Sequence, residues 1–264
     1  MTSRGLVGRM GRTAAMTLLA SGFAGAALLA GEFVAARNRR YAQPQLGLAL
    51  RTAVGREGAP EVRLVLLGDS TSLGVGVDDV GDTVGGQLAR LLADDAGLRV
   101  HLSSVGVSGS RSTDLATQVA RALLGERPDL AVILIGANDA TALRRPGESA
   151  AYLAAAVRRL RDAGVEVVVG TCPDLGAARA IDQPLREIAG WWGRQTAAAQ
   201  GRAVLAAGGA VVDLAAETGA VFRADAGTLC FDGFHPSADG YRVWAHALLP
   251  AVSALAGLGR SAAP

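Results

Sequence analysis

The sequence predicts an α/β fold, a three-layer α/β/α domain on a five-stranded, mainly parallel sheet. Three observations predict it. Short apolar runs recur along the chain from Glu61 onward. They are apolar at consecutive positions and not at alternate ones, which suits strands covered on both faces. The stretches between them repeat apolar residues at helical spacing. Strand and helix alternating in this rhythm produce βαβ units, which place helices on both sides of a parallel sheet.

The first forty residues stand apart from this pattern. Arg4, Arg9 and Arg12 precede an uncharged run from Thr13 to Gly31, followed by Glu32 and the cluster Arg37, Arg39 and Arg40. The run is nearer the ~17–25 residues of a spanning helix than the ~7–15 of a signal-peptide core. Residues 1–36 are therefore expected as an N-terminal membrane anchor, or as a signal peptide cut near Val34-Ala35-Ala36. Either would export the domain, leaving it anchored to the membrane or secreted. A helix of a cytoplasmic protein is the remaining reading. Residues 37–60, with Gly, Ala and Pro spread from Gln43 to Pro60, are expected as a linker, and the globular domain over 61–258.

Within the domain, strands are expected at Arg63–Leu67, Arg99–Val105, Leu130–Ile135, Val165–Thr171 and Ala210–Leu214. Leu115, Val119 and Leu123 share one helix face, as do Leu153, Val157 and Leu160, with Arg158, Arg159 and Arg161 turned outward. The net charge of +2 is spread without a basic block, and all basic side chains are arginine, so nothing asks for nucleic acid. Three histidines far apart and two isolated cysteines offer no metal-ligand spacing. Gly74 and Gly76 lack the third glycine of a dinucleotide fingerprint.

In a parallel sheet, ligands bind beyond the carboxyl ends of the strands. Four such positions carry polar or glycine residues of interest: Gly68-Asp69-Ser70, then Val107-Ser108-Gly109-Ser110, then Gly136-Ala137-Asn138-Asp139, and last the loop with Asp232 and His235. Singly, each has a structural reading as a turn, a loop glycine or a helix cap. Together they hold a serine, a base, a carboxylate and hydrogen-bond donors, the parts an acyl-transfer site requires.

At these residues the chain resembles the SGNH or GDSL hydrolases, named for a set of serine, glycine, asparagine and histidine. The blocks read "LLGDSTSLG", "SSVGVSGSRS", "IGANDA" and "DGFHP", in family order from about Leu64 to Trp244. The resemblance implies a flavodoxin-like fold with Ser70 as nucleophile, His235 as general base and Asp232 as the carboxylate orienting it. It also implies an oxyanion hole from the N–H groups of Ser70 and Gly109 and the Asn138 amide. Gly109 fits the family spacing better than Gly106. Ser104 departs from the family, where asparagine often opens the second block. The Gly-x-Ser-x-Gly elbow of the broader α/β-hydrolases is absent.

The implied activity is hydrolysis of a small-molecule ester or lipid through an acyl-serine, without cofactor or metal. An acyltransferase sharing that intermediate and a non-catalytic binding domain are the alternatives. His101 and His246 read as structural, Ser72 as pointing away or lying inside the turn, and Trp191 and Trp192 as helix packing or pocket wall. Cys172 follows the fourth expected strand and Cys230 lies two residues before Asp232, which puts both near the rim of the site. In an exported domain a pair so placed is expected either as a disulfide fastening the His235 loop or as two thiols.

Overall fold

The structure, a computed structural model, describes residues 25–36, 38–46 and 50–261. Six strands form one sheet: β1 (Arg51–Val54), β2 (Glu61–Gly68), β3 (Arg99–Ser104), β4 (Leu130–Leu134), β5 (Glu166–Gly170) and β6 (Ala210–Val212), in the order β1-β3-β2-β4-β5-β6. All neighbours are parallel except β1, which runs antiparallel along β3 with Arg51 opposite Ser103. The five expected strands are all present. The sixth, β1, comes from the stretch expected as a linker.

The helices are α1 (residues 25–36), α2 (Val84–Ala96), α3 (Leu115–Ala122), α4 (Ala137–Thr141), α5 (Pro146–Asp162), α6 (Leu185–Ala206), α7 (Leu214–Ala224) and α8 (Ala238–Ser261). Local chemistry sets their ends. Thr83 caps α2 by accepting from the Gly86 N–H at 3.0 Å, and Gly97, in the left-handed region, closes it. Asp213 caps α7 in the same manner, at 3.0 Å from the Ala216 N–H. That cap is why β6 stops at Val212, short of the expected Leu214.

Successive strand residues face opposite layers, as the pleat requires. Leu64, Leu66, Val100, Leu102, Val132 and Leu134 join one core with α2, α7 and α8, while Val65, Leu67, Ala131, Ile133, Val167 and Val169 join a second with α3, α5 and α6. Two fully covered faces explain the unbroken apolar runs. Because β3 lies on one side of β2 and β4 on the other, the winding reverses at β2, and a crevice opens at its carboxyl end.

Of the expected N-terminal anchor or signal peptide, residues 1–24 lie outside the described residues. Among the described residues, no helix is long and apolar enough to cross a membrane.

Candidate active site

Four chain segments meet at that crevice, and the β2 end is the most heavily constrained. Gly68 sits at φ +134°, and a Cβ there would run into the Leu134 carbonyl of β4, so only glycine fits. Just beyond, Ser70 opens a 3-10 turn, Ser70–Leu73. Asp69 caps this turn, accepting from the Thr71 N–H at 3.0 Å and the Thr71 hydroxyl at 2.8 Å. Burial pushes the Asp69 carboxyl above its ordinary range, against the pull of those two bonds.

Gln118, on the buried face of α3, takes the place of a neighbouring strand. Its Oε1 accepts from the Gly68 N–H at 2.7 Å, and its Nε2 donates to the Gly68 carbonyl at 2.8 Å and to Ser110 Oγ at 3.1 Å. Gln118→Leu is expected to strand the buried Gly68 N–H, while the Gly68 carbonyl keeps the Val107 N–H at 3.1 Å, costing ~1–3 kcal/mol. Urea unfolding measures this; an unchanged midpoint would mean that the Gly68 N–H finds another partner.

The fourth segment is a tight loop between Leu229 and Pro236, which pair as an isolated bridge. The Cys230 N–H donates to the His235 carbonyl at 2.8 Å, and Gly233, at φ +67°, turns the chain. His235 Nε2 lies 2.9 Å from Ser70 Oγ, and its Nδ1 lies 2.6 Å from Asp232 Oδ2. Asp232 and His235 are both buried. Burial alone would raise the Asp232 carboxyl. Hydrogen bonds from His235 Nδ1 and the N–H groups of Ala42, His235 and Phe234 outweigh it and hold the carboxyl well below the usual range. Asp232 is thus a charged acceptor, fixing the Nδ1 proton and leaving Nε2 to accept from the Ser70 hydroxyl.

Donors for a developing oxyanion converge from the other loops. Gly109 is exposed at φ +79° with open space where a Cβ would be, so its backbone angle is what calls for glycine. Neither its N–H nor that of Ser70, which starts a helical turn, finds an acceptor among the described residues. Asn138, on α4, spends one Nδ2 hydrogen on the Ser110 carbonyl at 3.0 Å, which fixes the amide beside the Gly109 loop and leaves the second hydrogen available. Gly106 is different: its N–H donates to Ser104 Oγ at 3.3 Å, and a Cβ there would strike Ser72 Oγ. Ser104, the residue that departs from the family, donates to the Ser72 carbonyl at 3.0 Å and so ties the second loop to the serine turn. Ser72 Oγ itself donates to the Asp69 carbonyl at 2.7 Å and points away from His235.

Of the five residues the sequence singles out, the structure joins Ser70, His235 and Asp232 in one hydrogen-bonded relay and ties Asn138 to the Gly109 loop through the Ser110 carbonyl. Several supports carried no readable signal. Asp139, buried, accepts from the Ser112 N–H at 3.0 Å, Ser112 Oγ at 2.9 Å and Ser149 Oγ at 3.1 Å, joining the second loop to α5. Gln200 repeats the Gln118 arrangement, accepting from the Cys172 N–H at 2.8 Å and donating to the Ile135 carbonyl at 3.0 Å. A glutamine on an otherwise apolar helix face was the available cue, since a buried amide must find partners.

Of the two readings open for Cys172 and Cys230, a disulfide or two thiols, the structure has two free thiols. Cys172 is fully buried in a small cluster with Ala137, Ala140, Leu175 and Ala197, whereas Cys230 lies against Gly76 with its Sγ 3.2 Å from Asp232 Oδ1. Each is engaged by different neighbours, and burial pushes the Cys230 thiol up to about 11, keeping it a protonated donor. A small apolar hollow of about 40 Å³ adjoins Thr71 and His235, lined among others by Leu175, Ala177, Phe222, Leu229, Phe234 and Trp244. Neither Trp191 nor Trp192 lines it; Trp192 packs beside Ala197 and donates to the Arg144 carbonyl at 3.1 Å. His101 lies in β3, 3.3 Å from Glu61, and His246 is exposed on α8.

Residues 66–243 match the GDSL-like Lipase/Acylhydrolase family. Over 200 residues the chain is 46% identical to a GDSL-like esterase of Mycobacterium tuberculosis, covering 75% of this chain and 63% of that protein. The chain therefore spans less than two thirds of that relative. Among solved structures, TesA superposes with a TM-score of 0.60 at 23% identity, covering 73% of this chain and 99% of its own. Axe2, an acetyl-xylooligosaccharide esterase of Geobacillus, superposes with a TM-score of 0.56 at 20% identity, covering 75% and 95%. At these identities the two structures speak for the fold.

Proposed function

We propose that this chain, which belongs to the GDSL-like Lipase/Acylhydrolase family, hydrolyses carboxylic esters through a covalent acyl intermediate on Ser70. One observation carries the reading: the relay from Ser70 Oγ to His235 Nε2 at 2.9 Å and from His235 Nδ1 to Asp232 at 2.6 Å, across 165 residues of chain. A serine hydroxyl is a weak nucleophile until an oriented base removes its proton. In this reading Ser70 Oγ attacks the ester carbonyl as its proton passes to His235 Nε2. The tetrahedral oxyanion accepts from the Ser70 and Gly109 N–H groups and from Asn138 Nδ2. Its collapse breaks the bond to the alkoxy oxygen, which leaves as the alcohol with the proton from His235. Water then repeats the sequence on the acyl-serine, with His235 as base and then acid, releasing the carboxylic acid and restoring Ser70.

The apolar hollow next to His235 favours esters with a hydrocarbon group on the acyl or alcohol side. A fluorophosphonate probe and a series of p-nitrophenyl esters of increasing acyl length test the proposal on the full chain. Covalent labelling with turnover of at least one ester is the expected result; folded protein that neither labels nor turns over would overturn it. Asn138→Ala is expected to lower kcat roughly 10²–10³-fold with the melting temperature nearly unchanged. Wild-type turnover in that variant would remove Asn138 from the oxyanion site.

A further inference from the structure

We infer that the segment leading into the sheet, residues 38–46, is a working part of this site, with the Ala42 N–H positioning the Asp232 carboxylate. The inference rests on the serine-hydrolase reading above. It assigns a role to a stretch whose composition reads as a plain linker.

Asp232 gathers five donors, and they divide unevenly. Its Oδ1 accepts from the Phe234 N–H at 2.8 Å, the His235 N–H at 2.9 Å and Cys230 Sγ at 3.2 Å, all from the loop that carries Asp232 itself. Its Oδ2, the oxygen that faces His235 Nδ1, has one other partner, the Ala42 N–H at 2.9 Å, from 190 residues away. The loop's own donors move with the loop. Ala42 is the donor that refers the carboxylate to the rest of the fold.

The segment is held at both ends and covers what it touches. Arg39 pairs with Asp182 at 3.0 Å, and the Tyr41 hydroxyl donates to the Ala36 carbonyl at 2.7 Å. The Leu185 N–H, at the start of α6, donates to Glu32 Oε2 at 3.0 Å, fastening α1 to the domain. Downstream, Leu46 packs on the α2–α8 core and β1 zips onto β3. Between these anchors the Tyr41 ring stands edge-on to Phe234, with centroids 5.5 Å apart, and 6.4 Å from the His235 ring. Ala42 and Asp232 are both buried, so the bond between them is shielded from competing water.

Removing one N–H from a buried carboxylate leaves it more basic and free to tilt away from His235. The titratable groups around it are His235, Cys230 from its own loop, Tyr41 from the strap and Tyr241 from α8. Loss of the donor therefore moves the acid limb of the activity profile to higher pH. A purely structural contact would leave that limb in place.

The experiment uses the full chain with a backbone ester at residue 42, made by incorporating the α-hydroxy analogue of alanine, which replaces the N–H by an oxygen and keeps the side chain. Ala42→Pro is the genetic counterpart and Ala42→Gly the rescue, since glycine restores the N–H. The ester and proline variants are expected to lose roughly 10- to 100-fold in kcat/KM, with the acid limb displaced upward, while Ala42→Gly keeps both near wild type. Should Ala42→Pro fail to fold, the ester variant decides alone. Wild-type kcat/KM and pH profile in the ester variant would overturn the inference, as would an equal loss in Ala42→Gly, which would assign the effect to side-chain packing. If wild-type protein does not label with fluorophosphonate, the hydrolase reading fails first, and that outcome is distinct from either result at Ala42.

Discussion

Ser70→Ala is expected to abolish fluorophosphonate labelling and to cut kcat on p-nitrophenyl esters by about 10⁴- to 10⁶-fold, leaving the residual rate that oxyanion donors and binding supply on their own. The magnitude follows from the kind of group removed. A nucleophile and its base act as a unit, so losing the hydroxyl also idles His235 and Asp232. The protein should stay folded, because Ser70 Oγ bonds only His235 among the described residues, while the turn is held by Asp69, Gln118 and Ser104. A retained melting temperature with abolished labelling is the expected pair of results. Persistent labelling would point to another nucleophile and would break the assignment.

Asp232→Asn is expected to cost about 10⁴-fold in kcat. An amide presents an N–H₂ group on one side, and every close neighbour of Asp232 is itself a donor: His235 Nδ1 and the Ala42 N–H at one oxygen, two N–H groups and the Cys230 thiol at the other. Whichever way the amide turns, donors face donors. Turned toward His235, it drives the imidazole proton from Nδ1 to Nε2, where it can no longer accept from serine. The same arrangement sets a pH signature. Because the folded carboxyl lies below its ordinary value, its stabilising effect is complete above pH ~4 and fades as the pH falls through the lower folded value. The melting-temperature gap between wild type and Asp232→Asn should accordingly be wide near neutrality and narrow in strong acid. A gap independent of pH would mean the charge of Asp232 contributes nothing to the fold.

The parallel sheet and the five candidate site residues were legible in the sequence. Runs such as Leu130–Leu134 are apolar on both faces, and Ser70, Asn138 and His235 stand out jointly, in polar blocks beyond the apolar runs. Strand β1 was not legible. It is an edge strand of four residues, alternately exposed and half-exposed and bounded by loop residues, so it buries too little to show a pattern. Gln118 and Gln200 escaped notice because a glutamine's value lies in which strand end it reaches, a matter of tertiary placement. Ala42 is the limiting case, since it acts through a backbone N–H that every residue except proline possesses. For the cysteines the sequence left a disulfide and two thiols equally open, and tertiary placement decides, since one faces a small apolar cluster and the other a carboxylate.

The distance along the chain between nucleophile and base has a consequence for how the activity is born. Ser70 is fixed early, by β2 and its neighbours, whereas His235 is held by a loop that immediately precedes the last helix, α8. That loop is tied into the fold where α8 begins, with the Ser237 N–H donating to the Thr228 carbonyl at 2.9 Å and the Tyr241 N–H to the Ser237 carbonyl at 2.9 Å. During synthesis, then, a growing polypeptide carries its serine for most of its length while lacking the partner that makes it reactive. A fragment that ends before His235 carries Ser70 without the imidazole that the proposed mechanism needs.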